Sequence, residues 1–138
     1  MAIPPHLFCD TSFFYAALDP ADAHHERART LFLEIADARA NLTTTWDIVS
    51  ETVTLARYRM HFPAAIRFLA DVRPTLRVVD YGNHVRAEAE RVFRQRGQSR
   101  RLSLCDAVSF VVVTRLLDHM PCLAFDADFR ALGLTVIS

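Results

Sequence analysis

Four acidic residues stand beside apolar runs, where a fold rarely leaves a carboxylate without a task. Asp10 closes the run Leu7-Phe8-Cys9. Glu51 has Ile48 three residues before it and Leu55 four after, so it lies on the helical stripe that should meet the core. Asp106 sits within Leu104-Cys105-Asp106-Ala107-Val108, and Asp126 closes Leu123-Ala124-Phe125, with Asp128 two residues on. If these acids converge, like charges at short range cannot all stay ionised unless a cation joins them. Carboxylate oxygens without accompanying His or Cys suit a hard cation, Mg²⁺ or Mn²⁺. Such an ion lowers the pKa of bound water and stabilises charge in a phosphoryl transition state. The chemistry indicated is metal-dependent phosphoryl hydrolysis.

Each acid also has a structural alternative. Asp10 and Asp126 can cap the helices that follow them. Asp106 is the fourth residue of Ser103-x-x-Asp106, the spacing of a capping box. Glu51 can rotate to the rim and pair with Arg57 or Arg59.

The elements that must position these residues follow from the hydropathy pattern. Strands are expected at residues 7–10, 42–45, 76–79, 122–125 and 134–137. Helices are expected from Thr11 or Ser12 to Leu18, then at 22–38, 47–59, from Pro63 to about Val72, at 83–96, from Ser103 to about Asp118, and at 127–132. Gly97 suits a left-handed position after the helix at 83–96, and Gly133 closes the turn at 127–132. Short apolar strands alternating with helices imply a parallel sheet covered on both faces, an α/β fold with more helix than strand. In such a sheet, ligands bind at the carboxyl ends of the strands. Asp10 and Asp126 both fall there.

Length and composition bound the reading further. The chain has 138 residues, 51% hydrophobic and 23% charged, which implies one globular domain over 1–138. Sixteen basic residues balance sixteen acidic ones, so any nucleic-acid contact needs a local patch. Every basic residue is Arg, which excludes mechanisms that require a lysine. Three cysteines without CxxC spacing argue against a disulfide scaffold or zinc site and for a reducing compartment. No signal-peptide pattern and no membrane-length apolar run are evident; a cytoplasmic location is expected.

The order and spacing of Asp10-Thr11-Ser12, Ser50-Glu51-Thr52, Leu104-Cys105-Asp106-Ala107 and Ala124-Phe125-Asp126-x-x-Phe129 resemble the PIN-domain ribonucleases, specifically the toxin members of VapC type. The resemblance covers essentially the whole chain. It implies a three-layer α/β/α sandwich around a central, mainly parallel sheet, and Mg²⁺- or Mn²⁺-dependent endoribonuclease activity. It carries Asp10, Glu51, Asp106 and Asp126 over as the acidic quartet, with Asp128 auxiliary. Thr11 or Ser12 matches a hydroxyl position that orients the first Asp, or else caps the helix, and both are candidates for RNA contact. The resemblance also implies a homodimer and a cognate antitoxin. The segment Thr43-Thr44-Thr45-Trp46-Asp47 lacks the Asn that some relatives carry before the Glu-bearing helix.

Between Arg86 and Arg101, six arginines face two acids, Glu88 and Glu90. Arg100 and Arg101, in the loop leading to Asp106, are candidate phosphate contacts by guanidinium geometry; the competing reading is a solvated face with pairs such as Glu90–Arg94. His24-His25 reads as surface histidine. Trp46 reads as a core or dimer-interface aromatic, with base stacking the minority alternative. Receiver-type phosphoacceptors and dehalogenase-type phosphatases use acids similarly but rely on a lysine, and this chain has none. Two competitors remain, structure-directed DNA cleavage and a PIN fold that binds RNA or protein without cutting.

Overall fold

The computed structural model describes residues 2–138. Its five strands, β1 (His6–Cys9), β2 (Asn41–Thr45), β3 (Leu76–Val79), β4 (Cys122–Leu123) and β5 (Val136–Ile137), form one sheet in the order β3-β2-β1-β4-β5. Every pairing is parallel. The topology therefore reverses at β1 and β4, and strand ends flanking such a reversal frame a crevice. β1 is buried along Leu7, Phe8 and Cys9, as a strand covered on both faces requires.

The helices sort into two layers by their contacts. α1 (Thr11–Leu18) packs on α2 (His25–Ala38) and on α3 (Trp46–Leu55), which packs on α4 (Phe62–Arg67). α5 (Asn83–Arg96) packs on α6 (Leu104–Val111), which touches α7 (Ala127–Ala131). The result is the α/β/α sandwich expected. Phe8, Phe13, Phe14, Phe68 and Phe129 are among its largest fully buried side chains. Phe13 stacks on Phe32 at 4.8 Å and Phe14 meets Phe68 edge-on at 5.3 Å. Truncating one such ring costs about 3–5 kcal/mol.

Several boundaries differ from expectation. The second helix begins at His25, not Asp22, because the Asp22 carboxylate accepts the His24 N–H at 2.8 Å and holds a turn there. β4 and β5 each shrink to two residues. α3, α4 and α6 continue into wider π turns at Ala56–Met60, Phe68–Val72 and Val112–Leu116. Gly97, expected to be left-handed, is right-handed with φ −70°, whereas Gly133 takes φ 86°. What Gly97 permits is close approach, since a Cβ there would stand 2.5 Å from the Phe93 carbonyl oxygen. No helix is long and apolar enough to cross a membrane among the described residues, and the three cysteines are free thiols.

Candidate active site

Asp10 is the residue after β1, and its N–H donates to the Leu123 carbonyl of β4 at 3.0 Å. This bond ties it to the reversal in strand order. Its side chain is 3% exposed. It caps α1, with Oδ2 accepting the Ser12 N–H at 3.2 Å and the Ser12 hydroxyl at 2.7 Å. Both bonds fall on one oxygen, and Oδ1 receives no donor among the described residues. The Ser12 Oγ also accepts the Phe125 N–H at 3.0 Å, which joins the β1 end to the segment carrying Asp126. The Ser12 hydroxyl thus donates at one end and accepts at the other, and works as a clamp between the two segments. Thr11 is buried, and its Oγ1 has no hydrogen-bond partner.

Asp106 lies in the first turn of α6. The capping box is formed, with Asp106 Oδ2 accepting the Ser103 N–H at 3.1 Å and the Ser103 Oγ accepting the Asp106 N–H at 3.0 Å. Capping and a role in the acidic cluster do not compete, because the cap occupies one carboxylate oxygen. Asp126 holds the N-cap position of α7 but makes no side-chain cap bond, so the capping alternative is not realised there. Glu51 is half-buried on α3. The rim pairing with Arg57 or Arg59 is absent, for those guanidinium groups lie over Phe62 at 4.9 Å and Tyr15 at 5.7 Å. Among the described residues the one ion pair is Arg115–Glu88, so neither the acids of this cluster nor Glu90–Arg94 is neutralised by a basic partner.

Three of these acids, Asp10, Asp106 and Asp126, stand above the ordinary carboxylate pKa. Asp10 is pushed up to about 7, chiefly by burial, with Asp106 and Asp126 adding to it and the Ser12 bonds opposing. Burial first, then Asp128 and Glu51, raise Asp106 against the Ser103 bonds. Asp126 is raised by desolvation, then by Asp128, Glu51 and Asp22, with His24 opposing. All five candidate carboxylates therefore share one electrostatic neighbourhood. Cys105 is raised too, by burial and then by Glu51, Asp10, Asp106 and Asp47. A thiol kept protonated is no nucleophile.

Two grooves meet at Glu51. The larger, of about 690 Å³, is lined by Trp46, Asp47, Ser50, Tyr81, Arg86 and Cys105 among others. The smaller, of about 340 Å³, is lined by Thr11, Ser12, His24, Arg59, Phe125 and Asp126 among others. Sequence reading missed several of these. Asp47 lies four residues before Glu51, a spacing that put it on the same helix face. Tyr81 donates its hydroxyl to Asp47 at 2.6 Å across 34 residues, a contact without local signal. His24 is exposed as expected, but it stacks on Phe125 at 4.5 Å beside Asp126. Trp46 is 59% exposed and lines the larger groove, so of the two expectations, core or dimer-interface aromatic, the core one fails. Arg100 and Arg101 are exposed in the loop before α6 and line neither groove.

Among the described residues no three His, Cys, Asp or Glu side chains are gathered as a ready metal cage. The donor chemistry nevertheless fits a hard divalent cation. Several carboxylates influence one another, none forms a salt bridge among the described residues, Asp10 Oδ1 is undonated, and the buried hydroxyl of the next residue, Thr11, has no partner.

A sequence profile of the PIN domain matches residues 7–134. The 23S rRNA-specific endonuclease VapC20 of Mycobacterium tuberculosis, in strains CDC 1551 and H37Rv, is 32% identical over 134 residues, spanning 95% of this chain and 97% of the relative. The crystal structure of Mycobacterium tuberculosis VapC20, described as a sarcin–ricin loop cleaving toxin, superposes with TM-score 0.80 at 29% identity, covering 94% of this chain and 96% of that one. FitAcB from Neisseria gonorrhoeae superposes with TM-score 0.66 at 13% identity over 96% of each chain, a likeness of fold alone.

Proposed function

This chain belongs to the PIN-domain family, and from that premise we propose that it is an endoribonuclease that hydrolyses RNA phosphodiester bonds with Mg²⁺ or Mn²⁺ as the toxin of a toxin–antitoxin pair. The observation that carries the reading is the cluster of mutually coupled carboxylates without a cationic partner at the carboxyl edge of the sheet. The substrate named for the similar endonuclease, the sarcin–ricin loop of 23S rRNA, is the first candidate here.

Asp10, Glu51, Asp106 and Asp126 would hold the metal, with Asp128 auxiliary. When bound, the ion would supply activation of water for attack on phosphorus and stabilisation of the charge that builds on the phosphate. The chain's own groups do the positioning. Ser12 fixes the rotamer of Asp10 and the approach of the Asp126 segment. Ser103 fixes Asp106. Arg100 and Arg101 are free to meet RNA phosphates on the loop leading into α6. No side-chain nucleophile takes part.

The partners in this reading are RNA, an antitoxin and a second copy of the chain, all in the cytoplasm. Tyr58, Phe62, Ile66 and Leu69 are exposed. The last three fall at i, i+4 and i+7, one outward stripe on which a protein partner would bury apolar area. The test is incubation of purified protein with total cellular RNA and Mg²⁺ or Mn²⁺, beside an EDTA control and Asp10→Asn. Discrete fragments in the metal-containing wild-type lane alone are expected. Intact 23S rRNA in every lane, with folded protein whose melting temperature ignores Mn²⁺, would replace the nuclease by a binding module.

A further inference from the structure

The larger groove holds an aromatic residue for which metal and phosphate chemistry has no use. Trp46 opens α3, directly after the Thr45 cap, and leaves 59% of its surface exposed. A tryptophan is seldom left so open without a ligand for its face. On the reading that the chain cleaves RNA, we infer that this groove is a subsite for one unpaired nucleobase next to the scissile bond, with the Trp46 indole as its stacking platform.

Three features support a base in this position. The first is place: Trp46 and Glu51 line the same groove five residues apart on one helix. That is about 7.5 Å along the axis at 1.5 Å per residue. The second is rigidity. The Tyr81 hydroxyl is held by Asp47 at 2.6 Å, and the Arg86 guanidinium lies over the Tyr81 ring at 5.3 Å while donating to Asn83 at 2.9 Å. The wall facing the indole is therefore fixed before a ligand arrives, which lowers the ordering cost of binding.

The third feature is charge. Asp47, Glu51 and Glu90 line the groove against the single guanidinium of Arg86. A phosphate is repelled from such a lining. A neutral base is not, and the N–H groups of its edge can donate to the carboxylates while its face stacks. The Arg73 guanidinium lies over one face of the Trp46 ring, 6.0 Å from its centre, so the base takes the other face. Of the four bases, those with donor-rich edges (guanine, adenine, cytosine) match this lining best.

The chain contains one tryptophan, so intrinsic emission reports this subsite alone. The experiment uses Asp10→Asn protein in Mg²⁺, titrated with a hairpin RNA carrying the sarcin–ricin loop and a dye at its stem end. Anisotropy gives binding and tryptophan emission gives stacking. The expected result is quenching that follows binding. Adding Trp46→Ala should weaken binding about 5- to 150-fold, the range for one base–aromatic stack, and Trp46→Phe should restore most of it. Hairpin binding with unchanged emission and undiminished affinity of Trp46→Ala would overturn the subsite and leave the nuclease reading intact. Loss of dimer or partner-protein binding in Trp46→Ala, with hairpin affinity unchanged, would assign the groove to protein and also overturn it. Failure of the hairpin and of total RNA to bind would remove the reading on which the inference rests.

Discussion

Asp10→Asn should make the metal-free protein more stable at alkaline pH than at acidic pH, relative to wild type. Asp10 is buried, with its pKa pushed up to about 7 from 3.8. Between those values the folded state binds more protons than the unfolded state, so the wild type loses stability as pH rises through that window. Linkage puts the penalty at about 2 kcal/mol at pH 5 and about 4 kcal/mol at pH 8. Asn carries no charge and its side-chain oxygen still accepts from Ser12, so the variant escapes most of that penalty. At ~3 °C per kcal/mol for a chain of this size, the advantage of the variant should be about 6 °C larger at pH 8 than at pH 5. The assay is thermal unfolding by circular dichroism in EDTA, both proteins at both pH values. Adding Mn²⁺ at pH 8 should close the gap from the wild-type side, because only the wild type keeps the full ligand set. An Asp10→Asn protein no more stable than wild type at pH 8, or with the same advantage at both pH values, would refute the claim that Asp10 is a strained, unpartnered carboxylate.

Three further outcomes follow from the same geometry. Ser12→Ala removes a donor to Asp10 and the acceptor of the Phe125 N–H; denaturant unfolding should show a loss of about 1–3 kcal/mol at pH 7, with the Asp10-linked pH dependence moving to higher pH. Asp126→Asn should leave stability within about 0.5 kcal/mol, since no cap bond is lost, while cleavage falls; a stability loss near 1 kcal/mol with full activity would make it a cap. Arg100→Ala combined with Arg101→Ala should reduce the slope of log affinity against log salt for RNA by about 1–2, and an unchanged slope would remove both from the RNA path.

The fold was legible because its signals are local. Leu7-Phe8-Cys9 has no polar residue to place on a solvent face, so it had to be a strand covered twice. β4 and β5 read too long because apolar character continues beyond the paired residues into Phe125 and Leu134, which are held by packing and not by ladder bonds. The acids of the candidate site stood out because a carboxylate on an apolar run is anomalous wherever it ends up. That Asp10 and Asp126 share the carboxyl edge was legible, but not that they flank adjacent strands, since this depends on β1 lying beside β4 with Ser12 and Phe125 113 positions apart. Of the two expectations for Trp46, core or dimer interface, the core one fails for a similar reason. Its type suggests burial, and only the α3–α5 spacing shows that one face is left open. Tyr81 was invisible because its partner, Asp47, looks like ordinary first-turn acid.

The claim that the carboxylates form one metal-dependent cleavage centre is tested most directly by single-turnover cleavage of the sarcin–ricin hairpin as Mg²⁺ is titrated, in wild type, Asp10→Asn and Asp106→Asn. The account predicts no cleavage in EDTA, a saturable rise with Mg²⁺, and a loss of about 10³-fold or more in each variant, the scale of removing several kcal/mol of transition-state stabilisation. Cleavage that persists in EDTA, or both variants cutting at the wild-type rate, would contradict it.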